Sequence, residues 1–256
     1  MSDPHSSPPL TIAVAGGTGT VGQHVVDVAR RRGHEVVVLS RRRGTDLVAG
    51  TGLDDALRGV DVVIDVTSQA TQDSGESRAF FGAVTRHLLA AEARTDVGHH
   101  LALSIVGIDE APTGYYAGKV LQEELVEQSP VPWTILRATQ FHEFAAQIYG
   151  AITLGPLVVV PRMVSEPVAA VEVAVRLVEL AEAGPSGRVA DLGGPRRERM
   201  VDMVRGWARA TGRPARVVAV PVPGALGRVM RNGGLVTGAG ADNGTQTYAE
   251  WLAALR

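Results

Sequence analysis

Apolar positions along this chain come in two alternating patterns. Leu10 to Gly16 (LTIAVAG) is an unbroken apolar run that stops at glycines, and from Thr20 to Arg32 the residues Val21, Val25, Val28 and Ala29 recur on one helical stripe. The pattern predicts a strand, a glycine turn and a helix. Arg30, Arg31 and Arg32 followed by Gly33 place cations at the negative end of the helix dipole, ahead of a C-terminal stop. A second run, Glu35 to Leu39, ends in Ser40-Arg41-Arg42-Arg43. A short helix around Asp54 to Leu57 precedes Val60 to Val66, where Asp61 and Asp65 punctuate the apolar residues. Unbroken runs of this kind mark parallel strands buried on both faces.

Phe80, Phe81, Val84, Leu88 and Leu89 give Arg78 to Arg94 a helical period. Leu101 to Val106 reads as a strand, Gly114 to Gln128 as a helix, Trp133 to Leu136 as a strand and Phe141 to Tyr149 as a helix. A strand at Leu157 to Val160, a helix at Val171 to Ala183 and a short strand at Arg188 to Leu192 follow. Beyond Gly193 strands thin out. Helix Met200 to Thr211, strand Val217 to Val220 and helix Ala225 to Met230 lead into a glycine-rich stretch, Asn232 to Gly244, that is expected to be mobile, and a closing helix spans Thr247 to Leu255.

The alternation predicts an α/β fold: a doubly wound parallel sheet over residues 10–192, joined by right-handed crossovers, with a small substrate-side lobe over 193–256 and a loose tail over 1–9. Ligands of such sheets sit beyond the carboxyl ends of the strands, where strand order reverses. That singles out Gly16 to Gly22, Ser40 to Arg43, Thr67 to Gln69 with Val66 before them, Ser104 to Gly107, and Arg137 to Phe144.

Composition removes several classes of function. The chain has 256 residues, 45% hydrophobic, with 25 basic against 27 acidic residues and a net charge of −2, so no overall positive field draws it to nucleic acid or anionic lipid. The absence of cysteine excludes disulfides, Cys-ligated metals and thiol nucleophiles, and fits a cytoplasmic location. No apolar run reaches the ~18 residues of a membrane span. Met1 to Pro9 lacks the basic and apolar regions of a signal peptide. Neither His99-His100 nor His142-Glu143 is accompanied by a further ligand at metal spacing, so no metal is expected.

Glycines 16, 19 and 22 form a G-x-x-G-x-x-G pattern between the first strand and its helix. They let the backbone of Gly16, Thr18, Gly19, Thr20 and Val21 approach a pyrophosphate at the positive helix end, and Gly22 lets helix and strand pack closely. At the end of the second strand a carboxylate would bind the ribose of NAD. Here no acid comes before Asp46, and Ser40, Arg41 and Arg42 offer a hydroxyl and guanidinium forks suited to the 2′-phosphate of NADP. NADPH is therefore expected over NADH, with Val66, Thr67 and Ser68 flanking it at the third strand end.

Tyr115 and Lys119 are four apart and share one helix face. Lys119 is the only lysine among 25 basic residues, and it falls on one of just four positions that lie four after a tyrosine. A phenol of pKa about 10 exchanges protons near neutrality only if that value falls, which an adjacent ammonium promotes. Ser104, at the end of the fourth strand, is the candidate for orienting a substrate carbonyl. Phe141, His142 and Phe144, after the fifth strand, are candidates for the substrate pocket.

With GGTGTVG, LSRR, LRGVDVVIDV, LSIVGID, YYAGK, PWTILRATQFHEF and the closing TYAEWLAAL in this order, the chain resembles an atypical short-chain dehydrogenase/reductase of the NmrA-like group. The resemblance implies a Rossmann-type NAD(P) domain, with proton donation by Tyr115, support from Lys119 and carbonyl orientation by Ser104. Two departures stand out: GTGLDDAL lacks the Gly-Asp pair that abuts adenine, and the interval from Ser104 to Tyr115 is short. The expected function is NADPH-dependent reduction of a ketone, aldehyde or quinone. Its rivals are a redox-sensing NAD(P)-binding regulator without turnover and a sugar-nucleotide epimerase or dehydratase. The expected partner is a small molecule. A homodimer through the helices at 78–94 and 114–128 stands open beside a monomer.

Overall fold

A computed structural model describes residues 8–151, 153–154, 157–213 and 216–255, so most of the expected tail lies outside the described residues. In chain order the first half runs β1 (Thr11–Ala15), α1 (Thr20–Arg31), β2 (Glu35–Leu39), α2 (Leu53–Ala56), β3 (Val62–Asp65), α3 (Ser74–Arg94), β4 (His99–Ile105), α4 (Tyr115–Glu127) and β5 (Trp133–Ala138). The second half runs α5 (Phe144–Ala151), β6 (Thr153–Leu154), β7 (Leu157–Pro161), β8 (Val164–Ser165), α6 (Ala170–Ala183), β9 (Gly187–Arg188) and β10 (Leu192–Gly193). It ends with β11 (Glu198–Arg199), α7 (Met200–Ala210), β12 (Arg216–Val220), α8 (Gly224–Asn232), β13 (Asp242–Asn243) and α9 (Tyr248–Ala254).

The main sheet has the order β13-β10-β5-β4-β3-β1-β2, with β9 beside β5, and its pairings are parallel. The order reverses at β1, which lies between β2 and β3, so the crevice for a ligand opens at the ends of β1 and β3. Val21, Val25 and Val28 of α1 and Val173, Leu177 and Leu180 of α6 cover one sheet face against Ile12, Val14, Leu101 and Leu103. Phe81 and Leu88 of α3 are fully buried on the opposite side, where Val84 and Leu88 pack on Val63 and Ala13. Each such side chain stabilises the fold by about 1.5–3 kcal/mol.

Helix α3 begins four residues earlier than its apolar period indicates, because Asp73 caps it by accepting from the Glu76 backbone N–H. Helices α3 and α4 meet at Gly118, where an added Cβ would lie 2.3 Å from Ser77 Oγ and 2.5 Å from Ser77 O. Between β2 and β3 the GTGLDDAL stretch forms only a bridge, Asp46 to Thr51, and the single turn of α2. The strand expected at Arg188 to Leu192 forms only at its two ends, as β9 and β10, and short pairs such as β8 with β11 carry no apolar run of their own and are tertiary events.

The second apolar cluster draws on both sides of residue 193. Ala145, Val158, Val160 and Met163 join Met200, Met203, Val204, Val217 and Tyr248 in it. The stretch at 232–244 is pinned rather than loose in two places. Gly234 O comes so near Gly107 that a Cβ there would be 1.8 Å away, and Thr237 donates from its backbone N–H and hydroxyl to Glu166.

Candidate active site

Gly16 takes φ +81°, and a Cβ on it would lie 2.7 Å from Val66 O, so the glycine turn rests directly on the end of β3. At Gly22 a Cβ would lie 2.1 Å from Gly16 O, which makes the first helical turn inseparable from the glycine loop. Thr18, Gly19 and Thr20 are exposed, while Val21 and Gly22 are buried. Gly19 is the N-cap of α1, with no side-chain cap and no acidic residue in the first turn. The first N–H groups of α1 are thus free to take an anion, and the cradle fits the pyrophosphate of a dinucleotide.

Arg41, Arg42 and Arg43 form one exposed turn of 3₁₀-helix after Ser40, and none of them is ion-paired among the described residues. Three guanidinium groups beside the crevice with no carboxylate partner fit a phosphate better than an uncharged ribose. On the other flank, Val66 donates its N–H to Ala15 O, Thr67 is buried and Ser68 is exposed.

Tyr115 opens α4. Its carbonyl accepts from Ser77 Oγ at 2.7 Å, its ring packs edge-on against Phe81, and its hydroxyl is 3.0 Å from Ser68 Oγ. Burial raises the pKa of this phenol, the Ser68 hydrogen bond opposes the rise, and the Asp65 carboxylate adds to it.

Lys119 is only 3% exposed. Its ammonium donates to Leu103 O at 2.6 Å and to Gln122 Oε1, and it lies 4.9 Å from the centre of the Phe81 ring. Burial pushes its pKa down to about 8 against the pull of Asp65 and Glu123. Tyr115 and Lys119 thus share a face, yet the hydroxyl bonds to Ser68 and the ammonium turns to the sheet.

Ser104 is 2% exposed and sits in register with Arg137 on the neighbouring strand. Its buried hydroxyl has no hydrogen-bond partner among the described residues, and the nearby Glu123 carboxylate, burdened by burial, is held below its usual pKa by Arg137. The serine that meets the Tyr115 hydroxyl is Ser68. Arg137 binds Glu123 through Nε and Nη2 and reaches Asp109 Oδ2 at 2.6 Å, tying the loop after β4 to α4.

The aromatic residues after β5 part ways. Phe141 is half-buried beside the main core, its backbone bridging Val168. His142 is wholly buried, donating from Nε2 to Gln246 O at 3.2 Å and packing on Tyr248 and Trp251. Both interactions hold α9, so His142 serves the lobe's packing rather than a pocket wall. Phe144 joins the second apolar cluster.

The structure gives roles to residues that the sequence marked only as positions. Gln140, at the end of β5, donates to Leu235 O at 3.2 Å, which leaves its buried Oε1 without a partner. Asp65 accepts from the Thr67 N–H at 2.9 Å and from Gln122 Nε2 at 2.7 Å. The one sequence signal for this pair was an acid ending an otherwise apolar strand. His99 bonds Thr134 and His100 bonds Glu92, and no group of three or more potential ligands for a metal occurs among the described residues. No helix among them is long and apolar enough to cross a membrane.

The model of a family described as NAD(P)H-binding matches residues 16–177. A (4-alkanoyl-5-oxo-2,5-dihydrofuran-3-yl)methyl phosphate reductase of Streptomyces griseus is 30% identical over 240 residues, covering 86% of this chain and 80% of that protein. Among solved structures, the NADPH complex of a quinone oxidoreductase from Escherichia coli is similar at 18% identity, with 95% of this chain and 99% of that one covered and a TM-score of 0.67. A UDP-N-acetylglucosamine 4-epimerase of Bacillus cereus is similar at 17% identity, with 96% of each chain covered and a TM-score of 0.66.

Proposed function

The chain belongs to the NAD(P)H-binding reductases of the NmrA-like, atypical short-chain dehydrogenase/reductase family, and from that membership we propose that it reduces a small carbonyl-type substrate, with NADPH as donor and Tyr115 as proton source. The reading is supported chiefly by one observation: the Tyr115 and Ser68 hydroxyls form a hydrogen-bonded pair at the strand-end crevice where the glycine turn rests on β3.

Reduced nicotinamide, when bound, supplies hydride to the electrophilic carbon. The chain's own residues do the rest. The amides of Thr18, Thr20 and Val21 hold the pyrophosphate, with Gly19 N–H closing the turn on Gly16 O, and Arg41 and Arg42 take the 2′-phosphate. The carbonyl oxygen, negative once its carbon has accepted hydride, takes the Tyr115 proton. Ser68, exposed on its other side, returns a proton from water to Tyr115, so two electrons and two protons are accounted for. Phe141 and Gln140 border the substrate side. The Streptomyces griseus relative is named for a substrate bearing an alkanoyl group and a ring 5-oxo group, which favours a conjugated carbonyl here as well.

The test is NADPH consumption, followed by absorbance, over a panel of ketones, aldehydes, quinones and conjugated lactones. Tyr115→Phe should keep NADPH affinity and lose about 100-fold or more of turnover, the low end of what a positioned general acid contributes. Undiminished turnover in that variant overturns the reading.

A further inference from the structure

Lys119 spends its charge in the interior. Two of its three donors are committed, one to Leu103 O and one to Gln122 Oε1, and Gln122 passes the link on through Nε2 to Asp65 Oδ2. Asp65 and Gln122 are fully buried. The other Asp65 oxygen accepts from the Thr67 N–H, next to Ser68, the residue whose hydroxyl meets Tyr115. An ammonium, an amide and a carboxylate thus form one buried chain from β4 through α4 to the loop after β3. The amide is the only member that both accepts and donates, so its orientation is fixed: oxygen to Lys119, nitrogen to Asp65.

We propose that Gln122 and Asp65 are positioning residues that detain the Lys119 ammonium away from the Tyr115 hydroxyl, leaving that hydroxyl to Ser68 as a neutral proton donor and setting the site for reduction rather than for alcohol oxidation. The inference rests on Tyr115 being the proton source. A reductase needs a protonated phenol, whereas oxidation of an alcohol needs a phenolate to accept the proton. An ammonium close to the hydroxyl would favour the phenolate; one drawn into the sheet leaves the phenol protonated.

The surroundings agree. On α3, Tyr115 faces the uncharged Phe81 and Ser77, and Glu76 is engaged by Thr71. The Asp65 carboxylate raises the Tyr115 pKa. On α4, Tyr116 is itself a phenol pushed up to about 12, chiefly by burial, and Glu123 is paired with Arg137. His100, within the field of Lys119 and Asp65, is paired with Glu92.

The test reads the phenol itself in the full, cofactor-free chain: tyrosinate absorbance against pH, with Tyr115→Phe subtracted to isolate one of the four tyrosines. In Gln122→Met the ammonium keeps Leu103 O but loses the amide that ties it to Asp65, and it swings back along the helix face, so Tyr115 should ionise at lower pH. Alcohol oxidation with NADP⁺ should set in at correspondingly lower pH. Gln122→Glu keeps an acceptor for Lys119 and should not lower that ionisation.

An unmoved Tyr115 titration in folded Gln122→Met overturns the proposal. So does a lowered titration in Gln122→Glu, a result readable even where the Met variant does not fold. Since the titration needs neither cofactor nor substrate, its outcome is separate from that of the Tyr115→Phe turnover test. A structural role alone would change thermal stability and leave the titration in place.

Discussion

Two glycines three positions apart, Gly19 and Gly22, should fail in different ways when each is given a methyl group. At Gly22 the new Cβ would lie 2.1 Å from Gly16 O and 2.7 Å from Gly17 Cα, both of them backbone. Neither can turn aside as a side chain would, so the cost lies toward the upper end of the about 1–3 kcal/mol typical of overpacking. Alanine returns about 1 kcal/mol of helix propensity inside α1. The net loss of about 2 kcal/mol corresponds to a Tm drop of about 4–8 °C for a chain of this size. NADPH binding falls too, because the displaced atoms are the cradle.

At Gly19 the nearest atom to a new Cβ is Gly16 O at 3.3 Å, and the backbone, at φ −82° and ψ 178°, suits any residue. Gly19→Ala should therefore cost only a few tenths of a kcal/mol through the weaker N-cap. Its methyl, however, occupies the approach of the pyrophosphate. Loss of one charge-assisted hydrogen bond costs about 1.5–3 kcal/mol, a weakening of NADPH binding of roughly 10- to 100-fold. Differential scanning calorimetry and NADPH titration on both variants separate the two effects. A Gly19→Ala protein that binds NADPH as the wild type does refutes the cradle, and a Gly22→Ala protein with unchanged Tm refutes the packing argument.

Other substitutions probe the flanks of the site. Arg41→Ala should weaken NADPH by roughly tenfold or more through a lost charge-assisted phosphate contact while leaving NADH nearly unchanged; equal losses, measured by cofactor titration, would reject 2′-phosphate recognition. His142→Ala should destabilise the chain by about 2–3 kcal/mol, since it removes a buried ring and leaves the Gln246 carbonyl without its donor. At temperatures where the variant remains folded, its KM for the carbonyl substrate should be unaltered, and a raised KM would restore His142 to the pocket.

Local sequence carried the frame because its causes are local. An apolar β-branched run such as Glu35–Leu39 forms a strand even at the sheet edge, where most of it is only half-buried, and its observed limits are those of the run. The glycine pattern needed only the strand before it and the helix after it. Spacing put Tyr115 and Lys119 on one face of α4, since an α-helix fixes the neighbours of position i at i+4. The start of α3 was less legible, because a cap depends on one side-chain hydrogen bond, at Asp73, rather than on a period.

The direction in which each polar group on those faces points was beyond the reach of spacing. Lys119 found Leu103 O and Gln122 Oε1, and the buried Asp65 carboxylate holds its charge there against the cost of desolvation. Ser104 was placed at the right strand end, yet its hydroxyl is buried without a partner among the described residues, while Ser68 comes to Tyr115 from the loop after β3. His142, legible only as a residue after a strand, took its place from α9, which is more than a hundred residues away along the chain. Periodicity determines which elements exist and which face each residue occupies; the partner a buried donor finds is decided only when distant strands and helices close around it, because that choice is a competition among groups brought together by the tertiary fold.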